Sequence, residues 1–138
     1  MPVEIRLLAW SCFLGLVHII AASASGLKQR GGLDWASSNR EGTTPTVTGA
    51  AARLEKASKN FFETFPIFAA LVLACVVSDR HNTAVVLGAY LYFFGRLAYL
   101  PVFGFGIPKI RSILWGVSIV GILFVLWGLF IKILPYSA

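Results

Sequence analysis

Acidic residues are scarce in this chain. Six Asp and Glu stand against twelve Lys and Arg in 138 residues, and charged residues of both signs make up only 13%. Soluble domains carry about a quarter charged residues, so the composition argues against one. The basic excess does not indicate nucleic acid. Such binders gather Lys and Arg on one solvated face, whereas here the cations flank apolar runs. Cysteine is almost absent as well. Cys12 and Cys75 lie in separate apolar stretches with no CxxC pair and no histidine at ligand spacing. They read as buried small side chains, and no metal site is expected. There is no phosphate-binding glycine loop and no internal repeat clear enough to argue from.

What the chain has in abundance is apolar length, with 57% hydrophobic residues. Four runs, at about 5–25, 52–77, 83–103 and 110–134, approach the ~20 residues needed to cross a bilayer core. In lipid, backbone groups must be satisfied within each segment, so helices are expected. The expected fold is an all-α integral membrane protein, a four-transmembrane-helix bundle in a single domain. Ala22-Ser23-Ala24 resembles a signal-peptidase site, but Glu4 cancels Arg6 and the apolar stretch is long, so the first span is expected to be retained. "SDRHN" (78–82) and "GFGIP" (104–108) are tight turns. The polar segment 28–49 is a surface loop or a lid over a site. Loops one and three with their flanks hold Lys28, Arg30, Arg40, Arg53, Lys56, Lys59, Lys109 and Arg111, against Arg6, Arg80 and Lys132 on the side of the termini. The positive-inside rule then puts loops one and three in the cytoplasm and both termini outside.

Polar stripes enter the membrane from the basic side. Arg53, Lys56, Asn60 and Glu63 recur at spacings of three and four, so they share one helical face. Arg53 and Lys59 suit an ordinary snorkelling flank. Glu63 does not, since it lies ~15 Å along the axis from Arg53 and its side chain is short. Tyr92, Arg96, Tyr99 and Phe103 form a matching stripe on the third span. An arginine at that depth needs a partner, and Glu63, in the same or another subunit, is the expected one. On the fourth span Arg111, Trp115 and Ser118 share a face, with Ser112 beside it. That span's N-terminus adds free amides and a positive dipole end. On the first span, Ser11, Gly15, His18, Ala22 and Ser25 form a small-residue packing face, with His18 expected to be hydrogen-bonded there.

These motifs resemble the MAPEG family, the membrane-associated proteins in eicosanoid and glutathione metabolism. "RLEKASKNFFETFP" is similar to the family's Arg-x-x-Arg-Ala-x-x-Asn-x-x-Glu-x-x-Pro pattern, and "FFGRLAYLPVFGFGIPKIRSILW" to its segment joining the third and fourth helices. The resemblance covers nearly the whole chain and suits a compact, bacterial-type member. It implies a homotrimer that binds glutathione between subunits near the cytoplasmic face. Carried over by position, Lys56, Asn60, Glu63, Arg96, Tyr99 and Arg111 would bind glutathione. Arg111 would stabilise its thiolate, with Ser112 near the sulfur, and Arg96 is structural first. The chain departs from the pattern in places: Lys56 replaces an arginine, Phe103 stands where the eicosanoid synthases have tyrosine, Trp115 stands where the prostaglandin-forming member has another tyrosine, and the stretch from Arg96 to Arg111 is one residue longer than in the leukotriene-type pattern.

Three functions follow as expectations. The first is a glutathione-dependent transferase or peroxidase acting on a small lipophilic electrophile. The second is a non-catalytic binding protein for a membrane lipid. The third is an accessory subunit of a larger membrane complex.

Overall fold

The computed structural model describes residues 1–131. Among them lie five helices and no strand: α1 (Val3–Arg30), α2 (Gly32–Ser37), α3 (Gly49–Val77), α4 (Thr83–Gly104) and α5 (Pro108–Phe130). All but α2 are long and apolar enough to cross a membrane. Each expected span coincides with one of these four helices, though the bounds differ. Helix α1 continues past Ser25 through "GLKQR", because a helix leaving the bilayer loses no backbone hydrogen bonds by carrying polar side chains. Helix α5 stops at Phe130, and the rest of the stretch expected to 134 lies outside the described residues apart from Ile131, which is extended.

The turns follow from local chemistry. Helix α3 ends in a Schellman motif, with Arg80 N–H donating to Cys75 C=O at 2.7 Å and Asp79 N–H to Val76 C=O. Asp79 takes the left-handed conformation this motif requires. The same motif ends α4. Ile107 N–H donates to Val102 C=O, and Gly106 supplies the positive φ of 74°. Pro108 then opens α5, where its missing N–H costs nothing. Arg53, expected to be only a polar flank, donates from Nε to Gly104 C=O at 3.1 Å. It satisfies one of the free carbonyls at the end of α4 and ties the start of α3 to that turn.

Helices α4 and α5 form the most extensive contact. Glycine makes it possible. A Cβ at Gly88 would lie 2.5 Å from Gly121 C=O, and a Cβ at Gly121 would lie 2.6 Å from Gly88 C=O. In a bilayer the hydrophobic effect does not press helices together, so such close backbone packing has to. At the opposite end Asn82 caps α4, its Oδ1 accepting from Val85 N–H, while its Nδ2 donates to Gly128 C=O at 2.8 Å. The small-residue face of α1 meets α3, with Ser11, Gly15, His18 and Ala22 buried. His18 stacks on Phe61 at 4.7 Å, but neither ring nitrogen finds a hydrogen bond among the described residues, contrary to expectation. Buried Glu4 pairs with His81 and pins the start of α1 to the α3–α4 turn.

Two further expectations are corrected. Cys75 is buried, with its Sγ against Val125 C=O, but Cys12 is exposed. An apolar helix face can satisfy lipid as well as protein, so an apolar neighbourhood in sequence does not guarantee burial inside the bundle. The segment 28–49 is also more ordered than a plain loop. Its first residues belong to α1, α2 folds back on α1, and Gln29 accepts from Thr48 N–H at 2.8 Å, closing the excursion.

Candidate functional site

The polar stripes converge where α3, α4 and α5 meet, at the end of the bundle that holds the α1–α3 connection and the α4–α5 turn. A cleft of about 300 Å³ is lined there by Lys56 and Asn60 of α3, Tyr99 and Phe103 of α4, and Arg111, Ser112 and Trp115 of α5. Five of the seven residues expected from the sequence therefore share one wall. A smaller hollow of about 170 Å³ adjoins it and shares Lys56, Phe103 and Arg111. Every charged residue lining the cleft is a cation.

Arg111 is half-buried, with its guanidinium over the Phe103 ring at 4.8 Å. The aromatic face holds the cation without neutralising it. Phe103 packs at 5.5 Å on Tyr99, which is itself buried. Ser112 is exposed, and its hydroxyl donates to Pro108 C=O at 3.2 Å within the first turn of α5. Lys56 is exposed. Ser118, on the Arg111 face, is buried and donates to Trp115 C=O, so it braces α5 and stays out of the cleft.

Arg96 stands behind this wall. It is fully buried, and its Nη2 donates to Asn60 Oδ1 at 2.9 Å. Its guanidinium lies 4.5 Å from the Tyr99 ring and 5.6 Å from the Phe61 ring. Within the subunit, then, Arg96 pairs with Asn60, and the expected Glu63–Arg96 pair does not form. The reason is helical phase. Three residues turn an α-helix by about 300°, so Glu63 points some 60° away from Asn60 and sits a turn further along. It emerges on the exposed surface of α3. Nε and Nη1 of Arg96 have no partner among the described residues.

Phe103 and Trp115, placed by their spacing on the polar stripes of the third and fourth spans but not counted among the expected site residues, both line the cleft. Their spacing from Arg96 and Arg111 was the available signal. The described residues hold no cluster of His, Cys, Asp or Glu able to bind a metal.

Four long apolar helices with polar groups gathered at one end define a multi-pass integral membrane protein. The particular family follows from a further finding: the family model for the MAPEG family matches residues 7–131, nearly the whole chain, and the chain belongs to that family. It is thus a membrane protein of the glutathione and eicosanoid metabolism type, a family whose members generally use glutathione. No curated protein and no solved structure matches the chain.

Proposed function

We propose that the protein is a glutathione-dependent membrane transferase or peroxidase for a lipophilic electrophile, with the cleft of Lys56, Asn60, Tyr99, Arg111 and Ser112 as its glutathione site. The observation that carries this reading is the half-buried Arg111, a cation with no acid beside it in the cleft. Glutathione supplies a thiol whose thiolate attacks electrophiles. A nearby cation stabilises that thiolate and lowers the thiol's pKa. The free amides at the start of α5 act in the same direction. Lys56 offers a point charge to a carboxylate, without the planar fork of an arginine. Asn60 lines the cleft, and its amide oxygen is taken by Arg96, which leaves the NH₂ available to donate. The Ser112 hydroxyl is committed to Pro108 C=O and has to turn away from it before donating to sulfur.

Glutathione also carries one ammonium, and the cleft holds no acid to receive it. Glu63 supports completion of the site by a neighbouring copy. It is an exposed acid on a membrane-spanning helix, costly to leave facing lipid. In this reading the active form is a homotrimer with glutathione between subunits, loops one and three in the cytoplasm and both termini outside. A second reading, a non-catalytic lipid-binding or accessory protein, is favoured by Phe103, which offers the cleft no hydroxyl.

Titration of the detergent-solubilised protein with glutathione, followed by thiolate ultraviolet absorbance, separates the two. A saturable thiolate signal in wild type, lost in Arg111→Ala while binding heat persists, is the expected result. Absence of both signal and binding heat in wild type moves the lipid-binding reading to first place.

A further inference from the structure

A second cleft lies apart from this site, at the elbow where α2 folds back on α1. It has a volume of about 400 Å³. Its floor is the outer face of α1, from Ile19 and Ile20 through Ala24 to Leu27, and its rim is formed by Arg30, Trp35 and Arg40. Ile19 and Ile20 are exposed on the membrane-spanning part of the helix. From Ile19 to Arg30 the floor runs ~16 Å along the axis, so one end lies at acyl-chain depth and the other at the polar boundary.

The rim is built from several independent contacts. The Arg40 guanidinium lies 4.6 Å from the Trp35 ring centre and that of Arg30 lies 5.7 Å away, so two cations share one indole. Arg40 Nη2 also donates to Ala36 C=O at 3.0 Å, which holds it on the short helix. Arg30 is turned back along α1. It fits there because Gly26 has no side chain: a Cβ would stand 2.6 Å from Arg30 Nη1. Its Nη2 pairs with Glu55 of α3, and its buried Nε has no partner among the described residues. Of the nearby acids Asp34, Glu41 and Glu55, none lines the cleft. Its charged lining is wholly cationic and its floor almost wholly apolar.

We infer that this elbow is a binding site for a phospholipid with an anionic headgroup, whose phosphate sits at Arg30 and Arg40 while one acyl chain lies along Ile19, Ile20 and Ala24. The charge at one end and the apolar track at the other match an amphiphile. A soluble anion makes no use of the apolar floor, and an uncharged lipid leaves Arg40, which has no acidic partner among the described residues, without a counter-ion. A basic pocket beside a membrane-spanning helix is suited to such headgroups. The inference does not depend on the glutathione reading, since it shares no residue with the other cleft.

Trp35 is the natural reporter. The full-length protein is reconstituted in phosphatidylcholine vesicles containing increasing fractions of brominated phosphatidylglycerol or, separately, brominated phosphatidylcholine. Tryptophan emission is recorded for wild type and for Trp35→Phe, and the difference isolates Trp35. Quenching at a clearly lower mole fraction of the anionic lipid is expected. The preference is expected to fall about fivefold in Arg40→Gln, whose exposed side chain makes no contact between membrane-spanning helices, and to survive in Arg40→Lys. In wild type it weakens as salt is raised, a readout that needs no variant. Equal quenching by the two lipids overturns the proposal. So does the absence of quenching by either, which means that no acyl chain reaches Trp35.

Discussion

Removing the Asn60 side chain tests how the buried Arg96 guanidinium is held. Asn60 Oδ1 is its single hydrogen-bond acceptor among the described residues, at 2.9 Å. A hydrogen bond to a charged group contributes about 1.5–3 kcal/mol, and removing one partner leaves the other buried and unsatisfied. Asn60→Ala is therefore expected to destabilise the fold by about 2 kcal/mol. Arg96→Met behaves differently. It loses the same bond and the contacts with Tyr99 and Phe61, but it also removes the burden of a desolvated charge. Replacing buried ionic groups by apolar ones of similar volume is often close to neutral, so a change within about 1 kcal/mol of zero is expected. In the Arg96→Met background Asn60→Ala then costs little, giving a coupling energy of about 1.5–2 kcal/mol. Glu63→Gln, combined with Arg96→Met, is expected to couple by less than about 0.5 kcal/mol. The assay is unfolding in sodium dodecyl sulfate titrations followed by circular dichroism, without ligand. An equal cost of Asn60→Ala with and without Arg96, or a stronger coupling of Glu63 than of Asn60 to Arg96, refutes the Arg96–Asn60 pairing.

Three other perturbations probe the framework. Gly121→Ala places a Cβ against the backbone of Gly88 and Tyr92, and overpacking of that kind is expected to cost about 1–3 kcal/mol in the same titration; an unchanged midpoint refutes the close approach of α4 and α5. Asn82→Ala removes an N-cap and an interhelical hydrogen bond together, so a loss of about 1–3 kcal/mol is expected, with Asn82→Asp retaining only the cap. A membrane-permeant thiol reagent is expected to modify exposed Cys12 well before buried Cys75, as read by mass spectrometry of the intact protein; equal rates contradict the packing of α3 against α5.

Length and hydropathy made the four spans legible, because a bilayer permits few alternatives to a helix. The stripe on α4 was equally plain: Tyr92, Arg96, Tyr99 and Phe103 are all buried as their spacing implies. Partner choice was not legible. Spacing places Asn60 and Glu63 on one broad face, but the phase between them decides which one reaches Arg96, and that depends on how α3 is rotated against α4. Cys12 failed for a related reason, since its sequence cannot separate a lipid-facing side of α1 from a protein-facing one. Arg53 was underestimated because its partner is the backbone of Gly104, and a carbonyl freed at a helix end leaves no mark on side-chain pattern.

Helices α4 and α5 are joined at one end by a Schellman turn, at the other by Asn82, and between them by glycines in backbone contact. The cleft is thereby divided unequally. Tyr99, Phe103, Arg111, Ser112 and Trp115 ride on one stiff hairpin, while Lys56 and Asn60 ride on α3. The Arg111–Phe103 stack lies wholly within the hairpin, whereas the distance from Lys56 to Arg111 is set by how α3 is held against it, through Arg53 at Gly104 C=O and Asn60 at Arg96. The cleft is thus a seam between a hairpin that carries Arg111 and a separate helix that carries Lys56, and two hydrogen bonds keep its walls in register.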